Sequence, residues 1–136
     1  MSKNEFHQKI GPHPYLLVVE DDMDIREAVQ EFLEDEGYKV ATAIHGQDAL
    51  HFLISNKDIK LPRCIILDIS MPIMNGIDFL HAIENKHPTE FGHIPVIIAT
   101  ANPHYLTHEA VKKCFSRIKK PYDFDDLINS IKVHFA

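Results

Sequence analysis

The sequence predicts a single α/β domain built on a doubly wound parallel sheet, and three observations point that way. Short apolar runs alternate five times with stretches of helical period, the pattern of parallel strands joined by crossover helices. At 136 residues the chain has the size of one domain, enough to bury a core of its own. No internal repeat or low-complexity segment divides it.

Residues 1–14 are polar, carry Gly11-Pro12 and Pro14, and show the period of neither helix nor strand, so a flexible leader is expected there and the domain over 15–136. Tyr15 to Val19 is the first apolar run and is closed by acids. Ile25, Ala28, Val29, Phe32 and Leu33 recur at helical spacing, and Gly37 suits the left-handed residue that ends a helix. Lys39 to Ala43 is the second strand. Gln47 to Ile54 turns Ala49, Leu50, Phe52 and Leu53 to one helical face, and Cys64 to Leu67 is apolar on both sides, as a central strand must be.

Ile77, Phe79, Leu80 and Ile83 mark the next helix, and Ile94 to Ala99 a fourth buried strand entered through Pro95. Glu109 to Phe115, Arg117 to Lys119 and Phe124 to Val133 complete the series as helix, strand and helix.

Composition narrows the function. A net charge of -6 argues against nucleic acid as the main partner, because phosphate binding needs a dominant basic surface. No apolar stretch approaches the ~20 residues that span a bilayer, and no charged start followed by an apolar run marks a secretory signal. Cys64 and Cys114 lie far apart without ligand spacing, so reduced thiols and a cytoplasmic location are expected.

Ligands of open parallel α/β sheets bind beyond the carboxyl ends of the strands. Here those ends carry Glu20-Asp21-Asp22, Asp68, Thr100 and Lys120. Carboxylates within ~4 Å repel by about 1 to 4 kcal/mol per pair unless a cation lies between them. An all-oxygen set with few carboxylates suits Mg²⁺, which accepts phosphate oxygens, and one lysine and one hydroxyl add donors for a phosphoryl group. Taken singly, Asp21 and Asp22 read equally well as caps of the following helix, and Asp68 as a solvated loop acid.

Four segments carry a resemblance: Val18-Val19-Glu20-Asp21-Asp22, Leu67-Asp68-Ile69-Ser70-Met71-Pro72-Ile73-Met74-Asn75-Gly76, Ala99-Thr100-Ala101 and Lys119-Lys120-Pro121. In order and spacing the chain from Tyr15 onward resembles the receiver domain of bacterial response regulators. The resemblance implies a flavodoxin-like (βα)5 sheet with strand order 2-1-3-4-5. It implies Asp68 as the nucleophile that takes a phosphoryl group from the phosphohistidine of a sensor histidine kinase or histidine phosphotransfer protein. It further implies Mg²⁺ held by Asp22, Asp68 and the Ser70 carbonyl, with Asp21 helping through water. Lys120 would pair with the phosphoryl oxygens, Thr100 would swing its hydroxyl toward them, and Lys120-Pro121 would be cis. The chain would then be a phosphoacceptor signalling protein that assists its own phosphorylation and dephosphorylation, not an enzyme acting on a separate substrate.

This sequence departs from the family pattern in three places. Arg117 stands where an aromatic residue is usual three positions before the lysine. Thr100 to Lys120 is short, so a truncated or distorted fourth helix is expected. Ser70 and Asn102 occupy positions that tune phosphate lifetime.

Only one helix follows Lys120, so output is expected by contact with a downstream target protein or by phosphorelay. Lys112, Arg117 and Lys119, with His108, form a basic stretch that is either a solvated surface or a docking face for an acidic partner or a second copy of the domain. His104 and His108 have the i, i+4 spacing of a helix metal site but lack a completing ligand. The rival readings are a pseudo-receiver used as a binding scaffold and a Mg²⁺-dependent phosphohydrolase. The latter would want D-x-D on the first strand and a cap for which the chain lacks length.

Overall fold

The computed structural model describes residues 3–135; Met1, Ser2 and Ala136, which end the expected leader and domain, lie outside the described residues. Five parallel strands, β1 (Tyr15–Val19), β2 (Lys39–Ala43), β3 (Cys64–Asp68), β4 (Val96–Thr100) and β5 (Ser116–Lys119), form one sheet in the order β2-β1-β3-β4-β5. This is the flavodoxin-like order expected from the sequence. The helices are α1 (Lys3–Ile10), α2 (Met23–Asp35), α3 (Gly46–Asn56), α4 (Gly76–Lys86), α5 (Glu109–Lys112) and α6 (Phe124–Lys132).

Alternation along the strands splits the core in two. Leu17, Val19, Ile65, Leu67 and Ile98 face the layer of α3 and α4, where they meet Leu53, Phe79 and Ile83. Leu16, Val18, Cys64, Ile66 and Ile97 face α2 and α6, where they meet Val29, Leu33, Leu127 and Ile131. Strands β1, β3 and β4 are buried along their whole length, which explains their unbroken apolar runs, whereas β2 and β5 are edges. Gly37 closes α2 at φ +98°, where the Tyr38 and Gly37 N–H groups donate to the carbonyls of Leu33 and Glu34, so the helix end leaves few orphan acceptors.

The first segment overturns its expectation. The part of the expected leader that is described is helical over Lys3–Ile10, and the helix is packed against the domain. Ile10 is buried, and Phe6 sets its ring edge-on to Tyr15 at 5.0 Å and to Phe52 at 6.4 Å. The His7 Nε2 to Asn56 Oδ1 distance is 2.6 Å, and Lys60 Nζ donates to the carbonyls of Gly11 and His13. Eight residues with Phe6 and Ile10 one turn apart are too few to register a period, and the helix gains its stability from tertiary contacts.

The expected truncation is present. After β4 the chain makes a 3₁₀ turn over Pro103–Thr107 and then only the four-residue α5. His104 and His108 therefore sit in different elements, and His108 instead caps α5, its Nδ1 accepting from the Ala110 N–H at 3.1 Å. Both cysteines are free. No helix is long and apolar enough to cross a membrane among the described residues.

Candidate functional site

Parallel pairing aligns the carboxyl ends of β1, β3, β4 and β5, and each end delivers one functional side chain. Glu20 still donates its N–H to Ala43 O at 3.0 Å, so it continues β1 and turns inward, 1% exposed. Asp68 ends β3 at 4% exposed, and Thr100 ends β4 fully buried. Lys120 follows β5, anchored by its N–H to Thr100 O at 2.8 Å, and its peptide bond to Pro121 is cis as expected.

These ends converge. Lys120 Nζ is 3.5 Å from Asp68 Oδ1 and pairs with Glu20 Oε1. It also lies 5.6 Å from the centroid of the Tyr122 ring, which stacks on Phe124 and so walls one side of the lysine. Glu20, Asp21 and Asp68 can each place a carboxylate oxygen within 4.8 Å of the others, the one such group of three among the described residues. Burial, and next the Glu20 carboxylate, push the Asp68 carboxyl up to about 7, against the pull of Lys120 and of the Ser70 N–H. One lysine thus faces three carboxylates, an excess of negative charge that a hard divalent cation fits, with oxygen ligands and room for others. Glu20, Asp21 and Asp68 are the residues that could hold it.

Asp22 is not among them, which corrects its assignment as a direct ligand. It stands at the N-cap of α2 with its backbone still extended, and its Oδ1 accepts from the Ile25 N–H at 3.0 Å. Three consecutive acids hide which two face the sheet end, and the Glu20 N–H bond to Ala43 O carries the interstrand pairing one residue past β1. Sequence reasoning placed Glu20 at the strand end with Asp21 and Asp22 but gave it no ligand role. It also missed Tyr122, whose only sequence signal is its place two residues after the lysine.

Thr100 is in place but engaged elsewhere. Its Oγ1 accepts from the Asn102 N–H at 3.1 Å and lies 3.3 Å from the Asn102 carbonyl, while Asn102 Oδ1 caps the 3₁₀ turn by accepting from the His104 N–H. Gly76 holds the opposite wall. Its N–H donates to Ile69 O at 2.9 Å, and a Cβ there would stand 2.7 Å from Asp68 O and 2.9 Å from Ile69 Cα. Only glycine lets α4 start this close to the residue after β3. Arg117 and Lys119 are exposed on the edge strand β5, with Lys112 exposed on α5 and His108 exposed at its cap.

Comparison with known proteins bears directly on this arrangement. A model of the response regulator receiver domain matches residues 16–132. The chain belongs to the response regulator receiver family. The receiver is 35% identical over 121 residues to the probable transcriptional regulator ycf29 of Porphyra purpurea, covering 86% of this chain and 54% of that protein. It is 34% identical over 117 residues to the response regulator Rre1 of Synechocystis, covering 82% and 47%. The chain thus spans about half the length of the curated relatives it matches. Among solved structures it is similar to the response regulator TrrA of Thermotoga maritima in complex with Mg²⁺ and BeF. That match has 30% identity and a TM-score of 0.77, covering 90% of this chain and 99% of TrrA. A receiver domain protein of Clostridium thermocellum gives 27% and 0.76, covering 90% and 94%.

Proposed function

We propose that this receiver is a phosphoacceptor switch, in which an Asp68 oxygen attacks the phosphorus of a phosphohistidine on a sensor histidine kinase or phosphotransfer protein. The P–N bond breaks, the imidazole leaves, and Asp68 carries an acyl phosphate. The observation that carries this reading is Asp68 itself, a recessed carboxylate grouped with two others and facing a lysine. Glu20, Asp21 and Asp68, with the Ser70 carbonyl, would hold Mg²⁺, which would supply positive charge for the phosphoryl oxygens. Lys120 offers its ammonium to the same phosphoryl oxygens, and its release from Glu20 and Asp68 is part of the switch. Thr100 leaves Asn102 to donate its hydroxyl to the new phosphate, which draws the 3₁₀ turn inward.

Under this reading the protein assists its own phosphorylation and dephosphorylation and turns over no separate substrate. Its location is the cytoplasm, which the two free cysteines support. Output runs by contact with a downstream protein or by relay, through the exposed Lys112, Arg117 and Lys119. Arg117 cannot be buried as an aromatic ring is, so the signal rests on Thr100 and the segment after β4.

The test is incubation with Mg²⁺ and acetyl phosphate or beryllofluoride, read by intact mass and amide NMR, beside Asp68→Asn. A mass gain or mimic-induced shifts that need both Mg²⁺ and Asp68 are expected. No modification from acetyl phosphate or from a panel of phosphorylated kinases would leave a binding scaffold, the reading that Arg117 favours.

A further inference from the structure

The edge strand β2 lies at the bottom of a slot. Among the described residues only β1 pairs with it, yet the side chains of Val40, Ala41 and Ala43 are buried. Val40 packs toward α2 and the two alanines toward α3, so a helix stands over each face of the strand. Helix α1 lengthens the α3 wall by setting Phe6 against Phe52. Between the walls is a cavity of about 670 Å³ whose lining includes Phe6, Phe52, Tyr38, Val40 and Thr42, a volume within the range of ligand pockets.

The floor of this slot is backbone. Ala43 O accepts from the Glu20 N–H, and with Val19 in register with Ala43 this turns the polar groups of Ala41 and Ala43 toward β1. Alternation along the strand then points the N–H and C=O of Val40 and Thr42 away from the sheet, into the cavity. Such an edge is a template for one more strand. A second copy of the domain cannot bring its own sheet edge to it, because the helices on either side of β2 stand beyond the strand and would meet that copy first. A single extended chain fits between them.

The walls and ends of the slot say which chain. The α1 and α3 wall offers the rings of Phe6 and Phe52, whereas the α2 wall offers Gln30 and Glu34. Successive side chains of a strand point to opposite faces, so apolar and polar residues must alternate along the occupant. Lys9 and Lys39 line the slot toward the amino end of β2, against the single acid Glu34. Asp48 lies at the carboxyl end, where its Oδ2 accepts from the Ile44 N–H. Antiparallel pairing is the more stable kind and is found at the edges of otherwise parallel sheets. It would set the carboxyl end of the added chain beside the two lysines.

We propose that the slot along β2 binds an extended segment of a partner protein as a sixth, antiparallel strand, with apolar residues at alternate positions and an acidic residue at its carboxyl end. The site uses neither Asp68 nor Lys120, so it does not depend on the phosphoacceptor reading.

The test uses the full chain and an array of synthetic hexapeptides of the pattern acetyl-Xaa-Val-Xaa-Val-Xaa-Glu, with Thr, Ser, Gln or Lys at Xaa. Hydrogen exchange read by NMR comes first. In the free protein the Val40 and Thr42 amides are expected to exchange about tenfold or more faster than those of Ala41 and Ala43, and the tightest peptide is expected to remove that difference. N-methylation of the peptide at one alternate set of residues should abolish binding, and at the other set should spare it. Lys39→Glu, at an exposed side chain, is expected to weaken binding about fivefold or more, and a peptide ending in Lys instead of Glu to recover it. No binding by any peptide of the array would overturn the proposal. Binding indifferent to the position of the methyl groups would do so too, since side chains alone would then be recognised. A dimer in light scattering that protects Val40 and Thr42 without peptide would make a second copy the occupant and also overturn it.

Discussion

Lys120 Nζ stands 3.5 Å from Asp68 Oδ1 while pairing with Glu20 Oε1, so a single cation, 11% exposed, serves two buried carboxylates from different strands. Removing it leaves both acids without their counter-charge in a poorly solvated recess. Lys120→Met is expected to lower unfolding free energy by about 3 kcal/mol near neutral pH, the scale of breaking a buried pair. Urea unfolding measures this. A loss that Mg²⁺ partly restores would show that charge, and not the packing of the lysine stem on Tyr122, is responsible.

The raised Asp68 carboxyl makes stability depend on pH. The folded protein keeps this proton up to about pH 7, while the unfolded chain loses it near 3.8. The folded state therefore binds more protons between those values. Stability from this group is full below about pH 4, falls as pH rises, and is gone above 7. Asp68→Asn is expected to be more stable than wild type in EDTA at pH 8, on the order of 2 to 4 kcal/mol, with the gap closing toward pH 4. Mg²⁺ should shrink the gap. Denaturant midpoints at pH 4, 6 and 8 with and without Mg²⁺ test this, and a gap independent of pH would refute the protonation argument.

Gly76 offers a steric test of how the Asp68 segment is held. In Gly76→Ala the new methyl meets backbone atoms on Asp68 and Ile69, which cannot rotate away as a side chain would. A cost of about 1 to 3 kcal/mol follows from overpacking, together with slower phosphorylation by acetyl phosphate, because relief requires the loop after β3 to move. Thermal unfolding and initial phosphorylation rates read the two effects separately.

What the sequence made legible follows from how each residue is stabilised. The apolar runs of β1 and β2 match their strands because acids and Gly37 bound them. Strands β3 and β4 run one residue beyond their apolar runs, to Asp68 and Thr100, since the ladder continues under a polar side chain that the site needs. The expected start of β4 at Ile94 shifts to Val96, with Pro95 unable to donate to the ladder. Asp68, Thr100 and Lys120 were readable because each ends a recognisable strand. Glu20 and Asp22 exchanged roles because the choice depends on the residue at which strand becomes helix, which a run of three acids does not mark.

Ile73 predicts a gain of stability. Its φ of +65° is left-handed backbone that costs roughly 1 to 2 kcal/mol for a residue with a Cβ, and its side chain, 80% exposed, returns little of that. Ile73→Gly and Ile73→Asn are each expected to raise unfolding free energy by about 1 kcal/mol. Thermal unfolding of the metal-free proteins decides it, and a destabilised Ile73→Asn would mean that this side chain packs on its own loop in solution.

The helix α1 lies against Tyr15 and Phe52, at the opposite end of β1 from Glu20. Its stabilising contacts are therefore separable from the chemistry. Ile10, 3% exposed, leaves a cavity when shortened, and Ile10→Ala is expected to cost about 2 to 4 kcal/mol. Phosphorylation of Asp68 by acetyl phosphate should be unchanged at temperatures where the variant is folded, because α1 packs on Tyr15 and Phe52, at the end of β1 away from Glu20. Urea unfolding beside phosphorylation kinetics tests both halves. A variant of wild-type stability would return residues 3–10 to the loose segment that their composition suggests. A folded variant with impaired phosphorylation would instead show that α1 acts on the site through β1.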